Sequence, residues 1–130
     1  TGVTVSLHNH ADSLCETEDD MARFVDLLDP SACGLTIDTG HTARAGIADA
    51  GRIVRRFKQH VHNVHLKDMR TDGSFCALGT GTVDLDSVLE SLATIDYDRW
   101  LVVDEESKDL AIDEAFHIAR SYLAERSVIA

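Results

Sequence analysis

Basic side chains are scarce in this sequence, which has 12 Lys and Arg residues against 23 Asp and Glu residues and a formal net charge of −11. A protein that binds nucleic acid needs a cationic face to meet the phosphates, and so does a protein that binds an anionic membrane surface. We therefore expect neither nucleic acid nor a membrane among the partners of this chain.

Long apolar runs are missing as well. No segment comes near the roughly 20 apolar residues of a membrane-spanning helix, and no signal-peptide pattern opens the chain. The cysteines, Cys15, Cys33 and Cys76, are odd in number and far apart, unlike a disulfide framework or the close pairs of a zinc ribbon. We expect reduced thiols and a cytoplasmic location.

The sequence does contain an alternation of strand and helix patterns that repeats four times. The predicted strands are residues 3–7, 33–38, 61–66 and 100–104. A helical stripe of apolar residues follows each strand; the first is capped by Thr17 with Asp20 three residues on, and it stops at Asp29-Pro30. Residues 39–46 are predicted to form a loop. This alternation indicates an α/β fold with a parallel sheet.

A side chain able to bind a metal stands at the end of each predicted strand: His8, Asp38, His65 and Asp104. The carboxyl ends of parallel strands gather on one face, so these four are expected to meet. Singly, each could cap the next helix or bond to a loop. Together, two imidazoles and two carboxylates favour a divalent ion such as Mn²⁺, Co²⁺ or Zn²⁺, with Mg²⁺ also compatible, over an all-oxygen Ca²⁺ site.

Five short motifs occur in a fixed order along the chain: HNH at 8–10, DTGH at 38–41, VHLKD at 64–68, LGTGTVD at 78–84 and WLVVD at 100–104. As an ordered set they resemble the C-terminal half of the sugar phosphate isomerase/epimerase superfamily, the xylose-isomerase-like TIM barrels. The resemblance covers nearly the whole chain. It implies an α/β fold of four consecutive βα units that form the C-terminal half of a (β/α)₈ barrel.

The resemblance also implies that His8, Asp38, His65 and Asp104 are the metal ligands. His8 and Asp104 stand where many family members have glutamates, and epimerases use those glutamates as an acid/base pair. Simple two-base epimerisation is therefore in doubt. The HNH segment is instead similar to the histidine run of inosose dehydratases.

The predicted activity is that of a metal-dependent isomerase or epimerase that removes a proton next to the carbonyl of a small sugar or keto-polyol. The alternative is an inosose (keto-inositol) dehydratase, so the expected substrate is a sugar or a cyclitol. The predicted catalytic residues are His8 as a base beside the ion, His10 and His41 as proton carriers, Lys67 as the group that stabilises a negative oxygen, and Glu106 as a spare base or ligand. An abasic-site endonuclease is disfavoured by the net charge.

Four strands cannot close a barrel that needs eight. We expect residues 1–130 to be a single half-barrel domain that is completed by a missing N-terminal half-barrel or by a second copy of itself. A different class also remains open: a non-catalytic half-barrel that acts as a binding or assembly module.

Two further motifs are interpreted as structural. Gly79-Thr80-Gly81 could cradle a phosphate through its N–H groups, but a bare turn that needs glycine is favoured. His60 and His62 precede or begin the third strand, away from its active end, so they are expected to lie outside the site.

Overall fold

The computed structural model describes residues 2–29 and 31–129. Its elements in chain order are β1 (Val5–His8), α1 (Glu18–Leu27), β2 (Cys33–Asp38), α2 (Thr39–Arg44), α3 (Ala50–Arg56), β3 (Val61–Leu66), β4 (Asp68–Met69), β5 (Phe75–Cys76), α4 (Leu85–Thr94), β6 (Leu101–Val103) and α5 (Ile112–Glu125). No helix in these ranges is both long enough and apolar enough to cross a lipid bilayer.

A four-stranded parallel sheet, in the order β1-β2-β3-β6, carries the fold. The predicted α/β architecture is confirmed, and β2 and β3 have the predicted bounds. Strand β1 begins two residues later than predicted and includes His8, while β6 is shorter than the predicted 100–104. The sheet is buried most deeply in β2, where Leu35 and Ile37 are fully covered.

Residues 39–44 form helix α2, so the prediction of a loop over 39–46 is wrong for most of its length. The helix begins directly after β2 because the Asp38 side chain caps it: Asp38 Oδ1 accepts a hydrogen bond from the His41 N–H at 2.8 Å. The strand-to-helix corner therefore contains no free loop residue, and the side chains of α2 are held against the carboxyl end of the sheet.

The first helix confirms its predicted start. Thr17 and Asp20 form a capping box, in which each side chain accepts from the other residue's backbone N–H. The helix ends at Leu27, slightly before the predicted stop at Asp29-Pro30, and Pro30 itself lies outside the described residues.

The loop after β3 folds back as a short antiparallel hairpin, β4–β5, and then turns at Gly79. The Asp68 carboxylate accepts hydrogen bonds from the N–H groups of Gly79, Gly81 and Val83 at 2.7–3.1 Å. These N–H groups are thus already satisfied by the chain's own carboxylate. That agrees with the favoured interpretation of Gly79-Thr80-Gly81 as a turn and leaves no free cradle for a phosphate.

Two buried side chains extend the parallel sheet past the ends of its strands. Asn9, which is fully buried, accepts from the Asp38 N–H through Oδ1 at 2.7 Å and donates through Nδ2 to Thr42 Oγ1 at 3.1 Å. Thr39 Oγ1 accepts from the Lys67 N–H at 2.9 Å and donates to the Lys67 carbonyl at 2.6 Å. Each side chain replaces a missing rung of the backbone ladder, so Asp38 and Lys67 are held in register with their neighbouring strands.

The outer strands β1 and β6 each pair on one side only among residues 2–29 and 31–129. Apolar side chains near these edges are largely exposed, with Val5 at 58% and Trp100 at 82%. Unpaired edges of this kind are a hazard unless something covers them. The expectation that another half-barrel completes the sheet stays a prediction.

Replacing Asn9 by alanine is expected to lower the free energy of unfolding by roughly 1–3 kcal/mol, because the buried Asp38 N–H and Thr42 hydroxyl each lose a partner. Urea denaturation measures this change. Thr94→Ala is the control, since it removes one exposed side-chain hydrogen bond to the Glu90 carbonyl. Equal losses in the two variants would contradict the ladder role of Asn9.

Glu18 is expected to make folding stability pH-dependent. Hydrogen bonds from Arg52 and Arg56 lower the pKa of Glu18 from 4.5 to about 2. A carboxyl group whose pKa falls on folding stabilises the fold above its unfolded value, and that contribution is lost as the pH drops through the folded value. The free energy of unfolding of the wild-type protein should therefore exceed that of Glu18→Gln by about 1 kcal/mol near neutral pH. This difference should vanish as the pH falls from 4.5 to about 2.

The control for this pH series is Glu90→Gln, because Glu90 is exposed and makes no ion pair with any residue in the described ranges. A difference between wild type and Glu18→Gln that persists unchanged at pH 2 would contradict the ion-pair account.

Candidate metal centre

The four strand-end side chains meet at one point above the carboxyl edge of the sheet. One ligand-type atom from each of His8, Asp38, His65 and Asp104 lies within 4.8 Å of all the others. Asp38 Oδ2 is 3.3 Å from His8 Nε2 and 3.9 Å from His65 Nδ1, and His65 Nδ1 is 3.1 Å from Asp104 Oδ2. The predicted convergence is thus present in the structure. Metal binding by these residues stays a prediction.

The chemistry of this set fits a divalent cation. Ligands bound tetrahedrally at 2.0–2.1 Å lie about 3.3 Å from one another. Two separations in the cluster, 3.3 Å and 3.1 Å, match this value, a third is 3.9 Å, and the whole set lies within 4.8 Å, so an ion would have to draw some of the side chains closer together. The Asp38 side chain is fully buried, and no donor in the described ranges reaches its Oδ2 atom in hydrogen-bonding geometry. A buried carboxylate oxygen without such a donor is costly unless positive charge compensates it. The Lys67 ammonium, 3.5 Å away, compensates it only in part, because Asp104 and Glu106 share the same charge.

The environment keeps Asp38 ionised. Burial by itself raises the pKa of Asp38, but the contact with His8, the hydrogen bond from the His41 N–H and the charge of Lys67 outweigh burial, so that pKa is lowered from its ordinary value. The two carboxylate oxygens of Asp38 have different roles: Oδ1 caps helix α2, and Oδ2 faces the cluster. Helix capping and metal binding are therefore compatible at this position.

Asn63 fixes the orientation of the His65 ring. Its side-chain oxygen accepts from the Val64 N–H at 3.0 Å, and its Nδ2 atom lies 3.2 Å from His65 Nε2. The ring is thereby held with Nδ1 turned toward Asp104. Because an amide nitrogen can only donate, Nε2 accepts this hydrogen bond and Nδ1 carries the ring proton; binding of a metal through Nδ1 would require the Asn63 amide to turn so that its oxygen accepts from an Nε2–H.

Lys67 lies inside the site although it follows β3 by one residue. Its side chain is almost fully buried, and Nζ is 2.6 Å from Glu106 Oε1, 3.1 Å from Asp104 Oδ2 and 3.5 Å from Asp38 Oδ2. Burial by itself lowers the pKa of Lys67, but these three carboxylates outweigh it and raise that pKa. Lys67 is therefore a buried ammonium at neutral pH.

Gly40 of the DTGH motif leaves the space through which the Lys67 side chain reaches the cluster. A Cβ atom at Gly40 would lie 2.6 Å from Lys67 Cγ, a separation that real Cβ atoms essentially never show. A larger residue at this position would push the lysine stem away from the carboxylates. The glycine in the motif is thus explained by close packing of α2 against the chain that follows β3.

Three histidines adjoin one another on the β1 side of the cluster. The His10 and His41 rings are 3.7 Å apart between centroids, and His8 is 5.7 Å from His41. Burial, together with the nearby charge of Lys67, lowers the pKa of His41 to about 4, although Asp38 opposes this shift. His41 is therefore neutral at physiological pH, and its Nδ1 atom accepts from the Ala11 N–H at 3.3 Å.

His10 has a defined proton arrangement. Its Nδ1 atom lies 2.6 Å from the Ala11 carbonyl oxygen, which can only accept a hydrogen bond. Nδ1 must therefore donate, and in the neutral ring Nε2 is left with a free lone pair. The His10 side chain is exposed, so this lone pair is accessible to a ligand.

All of the predicted site residues lie together, but several neighbours that shape the site were not predicted. Phe75 of the β4–β5 hairpin covers Lys67, with Nζ 4.9 Å from the ring centroid, and makes an edge contact with His41. Asn9 and Asn63 were also missed. Of these neighbours, only Asn63 could have been predicted from the sequence, because it is two residues before His65 and therefore on the same face of the strand.

His60 and His62 lie at the opposite end of the sheet, as expected. His62 packs closely against Gly34 of β2, where an added Cβ would lie 2.4 Å from the imidazole ring. Burial lowers the pKa of His62, with a further contribution from Arg99. These two histidines belong to the packing of the sheet and contribute nothing to the cluster.

The chain is similar in sequence to known proteins over nearly its whole length. Residues 1–125 match the family model described as xylose isomerase-like TIM barrel. The chain is 28% identical over 137 aligned residues to the inosose dehydratase of Geobacillus kaustophilus, which covers 92% of this chain and 44% of that protein. It is 34% identical to the rhizopine catabolism protein MocC of Rhizobium meliloti over 81% of this chain and 37% of that protein.

Solved structures share the fold. A D-tagatose 3-epimerase-like protein superposes with a TM-score of 0.78 at 24% identity over 95% of this chain and 46% of its own. The IolI protein, solved with a bound zinc atom, superposes with a TM-score of 0.77 at 20% identity over 95% of this chain and 49% of its own. This chain therefore spans about half the length of the proteins it matches. Since the family model covers nearly all of its residues, the chain belongs to the xylose isomerase-like TIM barrel family.

Proposed function

We propose that this chain supplies the metal-binding half of an enzyme that removes a proton next to the carbonyl of a small sugar or keto-polyol. The observation that carries the proposal is the convergence of His8, Asp38, His65 and Asp104 around the buried Asp38 Oδ2 atom. Named relatives support the substrate class, since they include inosose dehydratases and structural neighbours described as sugar epimerases. A non-catalytic module would have no need for a buried lysine ringed by carboxylates.

The four residues of the cluster would hold the ion. When bound there, a divalent cation supplies Lewis-acid chemistry, which favours loss of the proton next to a substrate carbonyl. Zn²⁺, Mn²⁺ and Co²⁺ suit this mixed imidazole and carboxylate set. Zinc also has support from the IolI protein, whose structure contains it.

Lys67 would stabilise the negative oxygen that develops on the substrate as the proton leaves. Its ammonium is charged and buried, and its three N–H groups face Glu106, Asp104 and Asp38. A substrate oxygen would therefore take the place of one of these carboxylates when the substrate binds. Phe75 shields one side of the amine and so strengthens its electrostatic effect. In this proposal, the predicted role of Glu106 as a spare base gives way to that of the carboxylate that positions Lys67.

His10 is the proposed base. Its Nε2 atom carries the free lone pair, its side chain is exposed, and its ring stacks beside His41 next to the cluster. His41 is neutral because its pKa is about 4, and it would act as the surface against which His10 packs. His8 remains assigned to the metal in this proposal, since its Nε2 atom is turned toward Asp38 Oδ2.

A second candidate within the same chemistry is dehydration of a keto-inositol. The relatives named inosose dehydratase match at 26–28% identity over at least 92% of this chain. In a dehydration, the same proton removal would be followed by departure of a hydroxyl group, which an acid must protonate. Elimination breaks the Cα–H and Cβ–OH bonds, forms a C=C bond conjugated with the original carbonyl and releases water, so the product is lighter than the substrate by one water molecule. Isomerisation and epimerisation leave the mass unchanged.

Metal retention is the first test. Asp38→Asn keeps an oxygen that can cap helix α2 but removes the charge that faces the cluster. We expect its affinity for Zn²⁺ or Mn²⁺ to fall by more than the roughly 10–100-fold typical of residues that only orient ligands. The metal affinity is measured by competition with a chromophoric chelator, on the protein at its natural length.

Asp84→Asn is the matched control for this test. Asp84 caps helix α4 with the same geometry, accepting from the Ser87 N–H at 2.9 Å, and lies outside the cluster. Its metal affinity should stay at the wild-type level. Undiminished metal content in Asp38→Asn would overturn the proposed centre.

Proton removal is the second test. In D₂O, ketoses and keto-inositols should exchange the hydrogen next to the carbonyl for deuterium, and His10→Gln should slow that exchange by about 10²–10⁴-fold. His117→Gln on the exposed face of α5 is the control and should leave the rate unchanged. Exchange at the wild-type rate in His10→Gln would exclude His10 as the base, and the mass of the product would separate dehydration from isomerisation.

A further inference from the structure

A cleft of about 400 Å³ opens beside the cluster. It lies between the end of helix α2, the β4–β5 hairpin and the segment after β6. Its charged and aromatic lining residues are Arg44, Arg70, Phe75, Glu106, Lys108 and Asp109. In a chain with a net charge of −11, this wall contains three cationic side chains and two carboxylates.

Both carboxylates of the cleft already have partners. Asp109 Oδ2 is 2.7 Å from Arg70, and Glu106 Oε1 is 2.6 Å from Lys67. Within residues 2–29 and 31–129, neither Arg44 nor Lys108 has a carboxylate within 4.0 Å. The cleft therefore presents two cations whose charge no neighbouring side chain neutralises.

The cleft adjoins the reactive end of the site at Phe75 and Glu106, which line it and also contact Lys67. The Arg44 guanidinium lies 4.8 Å from the centroid of the Phe75 ring, and Lys67 Nζ lies 4.9 Å from the same centroid. Stacking on an aromatic ring holds a guanidinium in place while its N–H groups stay available. A small molecule bound beside Glu106 would lie in the same cleft as Arg44.

We propose that this cleft is a subsite for an acidic group of the substrate, a carboxylate or a phosphate, bound by Arg44 with Lys108. The inference rests on the proposed function, because the cleft is a substrate subsite only if the neighbouring cluster acts on the bound molecule. Within the proposed function, it favours polyhydroxy ketones that carry an anionic group over neutral ketoses and keto-inositols. A planar guanidinium suits either anion, since both offer two oxygens in a geometry that it can meet with paired hydrogen bonds.

The test uses binding rather than turnover and is carried out on the natural-length protein after removal of metal, so that no anion can bind through an ion. The probes are the ketoses D-fructuronate, D-fructose 6-phosphate and neutral D-fructose, titrated by calorimetry. We expect at least one anionic probe to bind more tightly than fructose and to lose about tenfold in affinity in Arg44→Gln, a factor equivalent to ~1.4 kcal/mol. Comparison of the two anions decides between a carboxylate and a phosphate site.

Arg120→Gln is the matched control, because it removes the same charge from an exposed position on α5 outside the cleft. Its affinity for the anionic probes should equal that of wild type. If both variants bound the anionic probes equally weakly, the loss would reflect overall charge and the proposed subsite would be wrong. Equal affinity of the wild-type protein for the neutral sugar and the anionic probes would also contradict the subsite. Metal affinity measured on Arg44→Gln should stay at the wild-type level, so failure of the subsite is distinguishable from failure of the metal centre.

Discussion

The division of the Asp38 carboxylate between two tasks is the constraint on which the site depends. One oxygen caps helix α2 and the other faces His8 and His65, so the direction of the helix and the position of the cluster are set by the same side chain. Asn9 then fixes the Asp38 backbone from the neighbouring strand. A residue whose backbone and one carboxylate oxygen are both fixed has little freedom to rotate, and such rigidity is what a site of defined geometry requires.

The electrostatics of the site follow from that arrangement. Asp38, Asp104 and Glu106 bring three carboxylates to a place that is partly closed to water, and Lys67 compensates only part of their charge. The histidines add ligand atoms, and the low pKa of His41 keeps that ring from adding charge of its own. An excess of negative charge in a confined space is a stable arrangement when a divalent cation shares it.

The sequence predicted the parts of this structure that depend on local pattern. Strand β2 is recognisable because Leu35-Thr36-Ile37 is apolar or β-branched and ends in Asp38, and β3 because Val61, Val64 and Leu66 recur in a short segment. Parallel topology then requires Asp38 and His65 to lie at the same edge of the sheet. Helix α2 was missed because it is only six residues long, contains two threonines and a glycine, and is stabilised by its cap more than by propensity.

Contacts between distant segments could not be predicted in the same way. The bonds of Asn9 to Asp38 and of Thr39 to Lys67 depend on the register between strands, which no local pattern specifies. The spacing of apolar residues likewise could not predict where Phe75 lies, because each strand of its hairpin is only two residues long. The cleft beside Arg44 is formed by three separate segments and is visible only in three dimensions.

The central claim is that one cation binds among four side chains that come from four successive parallel strands. Anomalous diffraction at the metal absorption edge, on crystals of the natural-length protein loaded with Zn²⁺ or Mn²⁺, tests it most directly. The account predicts a single strong peak within coordination distance of His8 Nε2, Asp38 Oδ2, His65 Nδ1 and Asp104 Oδ2. A metal peak at another set of residues, with none at this cluster, would contradict it.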